Sequence, residues 1–137
     1  MEIQIKDLMT TAIVLLGFQL ISFSWRISEE ERVRSKGSIP WIPPADYLNL
    51  ISILILTFGV FILPLLVIIS ISYLKMLFGL SLIMFVGSIF AIAGHYEMYK
   101  KNRQSPGGYF PFQEKVIVSI VLVIVIIYVA LFILFQI

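Results

Sequence analysis

The chain has 137 residues, of which 60% are hydrophobic and 13% are charged. A charged fraction of about half the usual value for a soluble domain excludes a soluble globule and a disordered chain. The net charge of +2 offers no basic surface for nucleic acid, and the absence of cysteine excludes disulfides, thiolate metal sites and iron–sulfur clusters. The composition indicates an all-α integral membrane protein.

Four runs without charged residues predict four transmembrane helices, since about 20 helical residues cross a bilayer. The spans are expected near residues 8–25, 48–72, 76–96 and 116–136 of one domain, 1–137. A β-barrel is disfavoured because the runs are apolar on every face, whereas barrel strands alternate polar and apolar residues.

The first predicted span is the shortest and carries the most polar residues. A signal peptide is the competing interpretation, but Glu2 makes the start acidic and no small-residue cleavage site follows the apolar run. Trp25 and Arg26 then indicate an anchor at the membrane interface. A separate surface helix is expected to begin at Ser28, whose hydroxyl can cap a first turn formed by the glutamates at 29–31.

The distribution of lysine and arginine predicts the orientation. Because successive spans alternate in direction, the loops 26–47 and 97–115 lie on one side, and they hold every basic residue except Lys6 and Lys75. The positive-inside rule therefore predicts cytoplasmic loops and outward-facing termini. Lys75 marks a tight turn between spans two and three. The expected location is a prokaryotic cell membrane, crossed several times.

Aromatic residues occur in both loops beside prolines or glycines. They are Trp41 and Tyr47 in the first loop, and Tyr109, Phe110 and Phe112 in the second. Rings with an apolar body suit the headgroup layer. Two interpretations stay open, namely anchoring in lipid and contact with other integral membrane subunits.

Small residues on span three predict close helix packing. Gly79, Gly87, Ala91 and Gly94 share one face, which we call the small-residue stripe, and we expect it to pack against span two or a partner. Span four has no such stripe, so it is expected to face lipid or another subunit. Pro64 in span two predicts a kink, because proline removes a helical hydrogen bond.

His95 and Glu97, at the end of span three, are the candidate functional residues. They would relay a proton or join a metal site shared with another subunit. The alternative is a histidine bonded to water or a loop carbonyl. Asp46 is expected to cap span two. Because the chain has one histidine, no nucleotide motif and no nucleophile–base set, we expect no catalytic residue, metal site or cofactor of its own.

The leading interpretation is a non-catalytic accessory subunit of a larger membrane complex, such as an energy-converting oxidase or monooxygenase. The alternative is a small homo-oligomeric channel or pore, including a holin or toxin, with a path lined by Gln19 and Thr57. A transporter or membrane enzyme working through His95 and Glu97 is a third class. A pore should direct its polar residues toward a shared axis. An accessory subunit should bury its small-residue stripe internally and show its apolar faces and the two aromatic segments to unlike subunits.

Overall fold

The computed structural model describes residues 5–34, 42–96 and 110–135, without the side chains of 33 and 34. Within these ranges, four helices are long and apolar enough to cross a membrane, which confirms the predicted all-α, four-span fold. They are α1 (Ile5–Arg34), α2 (Pro44–Leu66), α3 (Ile71–His95) and α4 (Phe112–Phe135).

Helix α3 lies at the centre of the bundle. It packs against α4 on one side and α2 on the other, while α1 packs mainly against α2. Because the helices alternate in direction, the ends of α1 and α3 meet the starts of α2 and α4 at one end of the bundle, which we call the loop end. The cytoplasmic location of this end stays a prediction from the basic residues.

Helix α1 is longer than predicted. It continues without a break to Arg34, and the Ser28 hydroxyl donates to the Ser24 carbonyl at 3.1 Å instead of capping a new helix. The expected separate helix was wrong because residues 26–34 contain neither proline nor glycine to stop the first one. At ~1.5 Å per residue, α1 is about 45 Å long and exceeds the ~30 Å hydrocarbon layer.

Helix α2 begins earlier and ends earlier than predicted. It begins at Pro44, because proline fits the first position of a helix, where no partner for its nitrogen is needed. Residues Ile55–Ile62 form a π-helix directly before Pro64, and the helix ends at Leu66. The ring of Pro64 conflicts with the carbonyl four residues earlier. The expected kink therefore takes the form of a widened turn followed by the helix end.

The connection between spans two and three also differs from the prediction. Residues 67–70 lie outside helices, and Lys75 lies inside α3 instead of in the turn. The Tyr73 ring packs edge-on against Phe132 of α4, with ring centres 5.3 Å apart. The turn lies before the lysine because α2 ends just after Pro64.

Two groups of buried apolar residues fill the bundle. The group nearer the loop end consists of Ala45, Leu48, Met84, Ala91 and Val121. The group in the other half consists of Ala12, Leu15, Leu56 and Val60. Helix α4 contributes only Val121 to these groups, so most of its apolar surface is exposed.

The small-residue stripe of α3 packs against α4. A side-chain carbon added at Gly87 would lie 2.5 Å from Val121 Cγ2, and one added at Gly79 would lie 2.2 Å from the Tyr128 hydroxyl. At Gly94 the nearest backbone atom is the Glu114 nitrogen, at 3.0 Å. For these three glycines the expected neighbour, span two or a partner, was therefore wrong, because they face the fourth span of the same chain. Ala91 lies in the buried group that also contains Ala45 and Leu48 of α2.

We expect Gly87→Leu to separate α3 from α4 and to lower the free energy of unfolding by about 1–3 kcal/mol, the usual cost of overpacking. Gly17→Leu is the matched control, because nothing lies within 4 Å of the added carbon there. The measurement is unfolding of the detergent-solubilised protein, followed by circular dichroism. Equal losses for both variants would contradict the packing described for α3 and α4.

Candidate functional site

Arg26 is the centre of an ionic network at the loop end. Only 1% of the residue is exposed. Its Nε donates to Asp46 Oδ1 at 3.1 Å, and its Nη2 donates to Glu30 Oε1 at 2.9 Å. Its Nη1 donates to the Tyr96 hydroxyl, and the guanidinium lies 5.4 Å from the centre of that ring. One side chain of α1 thus bonds to α2 and to the end of α3.

Glu114 forms a second connection at the same end. This residue of α4 is fully buried, and its Oε1 accepts the backbone N–H of Ala45 at 3.0 Å. Its Oε2 lies 2.8 Å from His95 Nδ1. First-turn N–H groups have no partner within their own helix, so Glu114 stabilises the start of α2 from another helix. Gly94 allows this approach, because a side chain there would meet the backbone of α4.

Together, the two connections join all four helices at one level. Arg26 faces Asp46 and Glu30, and His95 faces Glu114, so the strongly buried charged groups have partners within the chain. Charges held in this way are costly to separate, because a lone charge in a low-dielectric interior is strongly unfavourable. Within the described ranges, no three His, Asp or Glu side chains are grouped to hold a metal ion. The arrangement fixes the helices to one another.

A second polar cluster lies deeper in the bundle. The Gln19 amide nitrogen of α1 donates to the hydroxyls of Ser52 on α2, at 2.6 Å, and Ser81 on α3, at 3.1 Å. The Ser52 hydroxyl lies 2.6 Å from the Ser81 carbonyl, and the Ser81 hydroxyl lies 3.0 Å from the Ser52 carbonyl. The Asn49 side-chain nitrogen donates to the Gln19 backbone carbonyl at 3.3 Å. All four residues are buried.

These polar residues extend the loop-end network deeper into the bundle. On α2, Asp46, Asn49 and Ser52 recur every three residues, and on α1, Gln19 lies seven residues before Arg26. Seven helical residues correspond to about 10 Å along the axis. Beyond this depth, the buried groups around Leu56 and Val60 are apolar. The buried polar residues thus reach from the loop end to about the middle of the bundle.

The structure brings one of the two predicted functional residues into a contact that the sequence did not indicate. His95 bonds to a buried carboxylate, not to water or a loop carbonyl as the simpler interpretation held. Glu97 lies outside the described residues. The predicted cap at Asp46 was wrong, because its carboxylate bonds to Arg26 and makes no capping bond. Glu114 accepts the N–H of Ala45 instead.

The predicted aromatic contacts are described only in part. Tyr47 and Phe112 are exposed, with 51% and 77% of their surfaces accessible. The Phe110 ring lies 5.2 Å from the Lys115 amine, a cation–π contact at the start of α4. Trp41 and Tyr109 lie outside the described residues.

Sequence reasoning missed Arg26 and Glu114. Arg26 was interpreted as an interface anchor together with Trp25, yet Trp25 is 60% exposed and Arg26 is buried. A signal was present, since each span has an ionisable residue at its loop end, basic on α1 and α3 and acidic on α2 and α4. Pairing Arg26 with Asp46, and His95 with Glu114, would have found both connections.

No protein-family model, curated protein or solved structure matches this chain. The site and the outer surface are therefore the features that bear on its function. On that surface, α3 and α4 form an apolar groove with a cavity volume of about 660 Å³. Its walls include Leu82, Val86, Phe90, Ile117, Ile120 and Ile124. The groove crosses the bundle at the level of Gly87.

Proposed function

We propose that this chain is a non-catalytic accessory subunit of a larger membrane complex, which it contacts through the apolar surface of α3 and α4. The observation that carries the proposal is the inward direction of the polar residues. Gln19 is fully buried and bonded to Ser52 and Ser81 of the same chain. A homo-oligomeric pore needs such groups on a surface shared between subunits.

The small-residue stripe supports the same proposal. Its glycines are occupied by α4 of the same chain, so this seam is not available to a second copy. The exposed surface of α4 is largely apolar and includes Ile126 and Ile133. Membrane helices associate through close packing and not through hydrophobic burial, and the groove beside Gly87 offers a shaped surface for such packing.

The proposed occupant of the groove is a transmembrane helix of an unlike subunit. The loop-end network gives the bundle the rigidity that a packing surface needs, because four helices are bonded at one level. An energy-converting oxidase or monooxygenase is the host we propose first, since such assemblies combine catalytic subunits with small apolar ones.

Photo-crosslinking tests the proposal in the native membrane. A photoreactive residue is placed at position 120 or 124, which are exposed in the groove, and at position 56, which is fully buried in the bundle and serves as the control. We expect 120 and 124 to crosslink to one unlike membrane polypeptide, and 56 to crosslink only within the chain. That polypeptide should also co-purify at fixed stoichiometry in native mass spectrometry.

Two outcomes would overturn the proposal. Crosslinks only between copies of this chain, together with a ring of one species in native mass spectrometry, would favour the homo-oligomeric pore. Crosslinks only to lipid, with a monomer in mild detergent, would exclude a stable complex. The redox spectrum of the co-purified complex then tests the proposed oxidase or monooxygenase host.

A further inference from the structure

The polar cluster around Gln19 contains two hydrogen-bond acceptors that no described residue satisfies. They are the side-chain oxygens Gln19 Oε1 and Asn49 Oδ1, both buried. The residues are 0% and 1% exposed. Burying an unpaired amide oxygen in an apolar medium costs about 1–3 kcal/mol by protein mutational data, so two of them near the middle of a membrane protein require a donor.

The amide orientation of Gln19 follows from the available protons. Each serine hydroxyl has one proton, and the carbonyl of the opposite serine lies within bonding distance of it, at 2.6 Å from Ser52 Oγ and 3.0 Å from Ser81 Oγ. Both hydroxyl oxygens are then free to accept, and the Gln19 NH₂ group supplies one proton to each. The two hydroxyl oxygens also lie 2.7 Å apart, so each is a second acceptor within reach of the other serine's proton. When both hydroxyls donate to carbonyls and accept from the Gln19 NH₂ group, every one of these protons has a partner, and the oxygen left without a donor is Oε1. The reverse orientation leaves both NH₂ protons without an acceptor.

Asn49 is fixed in the same way. Its NH₂ group donates to the backbone carbonyl of Gln19 at 3.3 Å. The amide atom that does not take part in this bond is therefore Oδ1. Gln19 and Asn49 thus meet at the seam between α1 and α2, and the Gln19 side chain extends from it to Ser81 of α3. Each presents one neutral oxygen, and no direct hydrogen bond joins the two side chains.

We propose that a water molecule binds at this seam and donates one proton to Gln19 Oε1 and the other to Asn49 Oδ1. Water is the ligand that fits, because the site needs a small neutral molecule with two donors. A metal cation is a poorer match, since the serine oxygens already accept protons from Gln19 and only two free neutral oxygens remain. Buried waters typically bridge polar groups that would otherwise lack partners.

The polar half of the bundle supports entry of this water from the loop end. Asp46 lies one turn from Asn49 toward that end, whereas the groups around Leu15 and Leu56 on the other side are apolar. Gln19 and Asn49 do not ionise, so the site stores a water and provides no proton path across the membrane. The water site lies inside one chain and needs no partner subunit.

Nuclear magnetic resonance of the full chain in lipid nanodiscs tests the inference. We expect cross-peaks between water and the side-chain NH₂ protons of Gln19 and Asn49, with NOE and ROE of opposite sign, as for a water held in the protein. Chemical exchange would give equal signs. Asn49→Leu should remove the Gln19 cross-peak, and Ser88→Ala should leave it, because the Ser88 hydroxyl donates to the Phe85 carbonyl of its own helix.

Thermal unfolding gives a second measurement that does not need the cross-peaks. Asn49 bonds to the backbone of Gln19, and that bond survives in Gln19→Met. If one water bridges the two side chains, either single variant already removes the bridge. The double variant, Gln19→Met with Asn49→Leu, should then lose less Tm than the two single variants lose in sum. Additive losses, or a folded wild-type protein without water cross-peaks at either amide, would overturn the inference. A Gln19 cross-peak that persists in folded Asn49→Leu would overturn the bridge.

Discussion

Arg26→Met should lower the free energy of unfolding by about 3–5 kcal/mol, the usual cost of breaking a buried ion pair by removing one partner. Methionine keeps much of the length of the side chain but none of its donors. Asp46, 3% exposed, would lose its bonds at 3.1 Å and 3.2 Å and remain as an uncompensated carboxylate. The start of α2 and the end of α1 should separate. The measurement is unfolding in detergent, followed by circular dichroism.

Two further variants decide whether the effect comes from the buried pair. Arg32→Met is the matched control, because the Arg32 side chain is 63% exposed, and it should change stability little. Arg26→Met with Asp46→Leu should recover much of the loss, since apolar residues of similar volume often replace a buried pair without cost. Equal losses for Arg26→Met and Arg32→Met would show that the network contributes no special stability.

The fold could be predicted from the sequence because hydropathy encodes the number and approximate location of the spans. The ends of the spans could not, since a charge ends an apolar run without ending a helix. Arg26 illustrates this, because α1 continues for eight residues after it. Conversely, Pro64 ends α2 while the apolar run continues, so that run extends beyond the helix. The residue at which a helix ends depends on whether the backbone hydrogen bonds can continue. Hydropathy reports only whether a segment favours lipid or water.

The site could be predicted only in part, for a related reason. His95 was identified because it is the single histidine, but its partner Glu114 is 19 residues away in sequence. Such contacts depend on how each helix is rotated about its axis. In a soluble helix, the apolar stripe encodes that rotation. The spans here are apolar on most faces, so rotation is set by rarer features, such as the glycines facing α4 and the polar residues facing Gln19.

The second large effect is expected at Glu114, where Glu114→Leu should lower the free energy of unfolding by about 2–4 kcal/mol, because each buried partner left unsatisfied costs about 1–3 kcal/mol. The Ala45 N–H would lose its acceptor, and His95 would lose its buried partner. Helix α4 would thus lose its hydrogen bonds to the start of α2 and to the end of α3. Helix α4 should then be held mainly by the small-residue stripe.

Graded substitutions separate the hydrogen bonds of Glu114 from its volume. Glu114→Gln keeps an oxygen for the Ala45 N–H and an amide for His95, so it should lose about 1 kcal/mol, the net value of one altered hydrogen bond. His95→Gln should leave the protein folded and assembled, because glutamine can still donate to the Glu114 carboxylate. Glu31→Leu is the matched control on an exposed position of α1 and should be nearly silent. A Glu114→Leu variant as stable as Glu31→Leu would contradict the connection between α4, α2 and α3, and α4 would then be held by glycine packing alone.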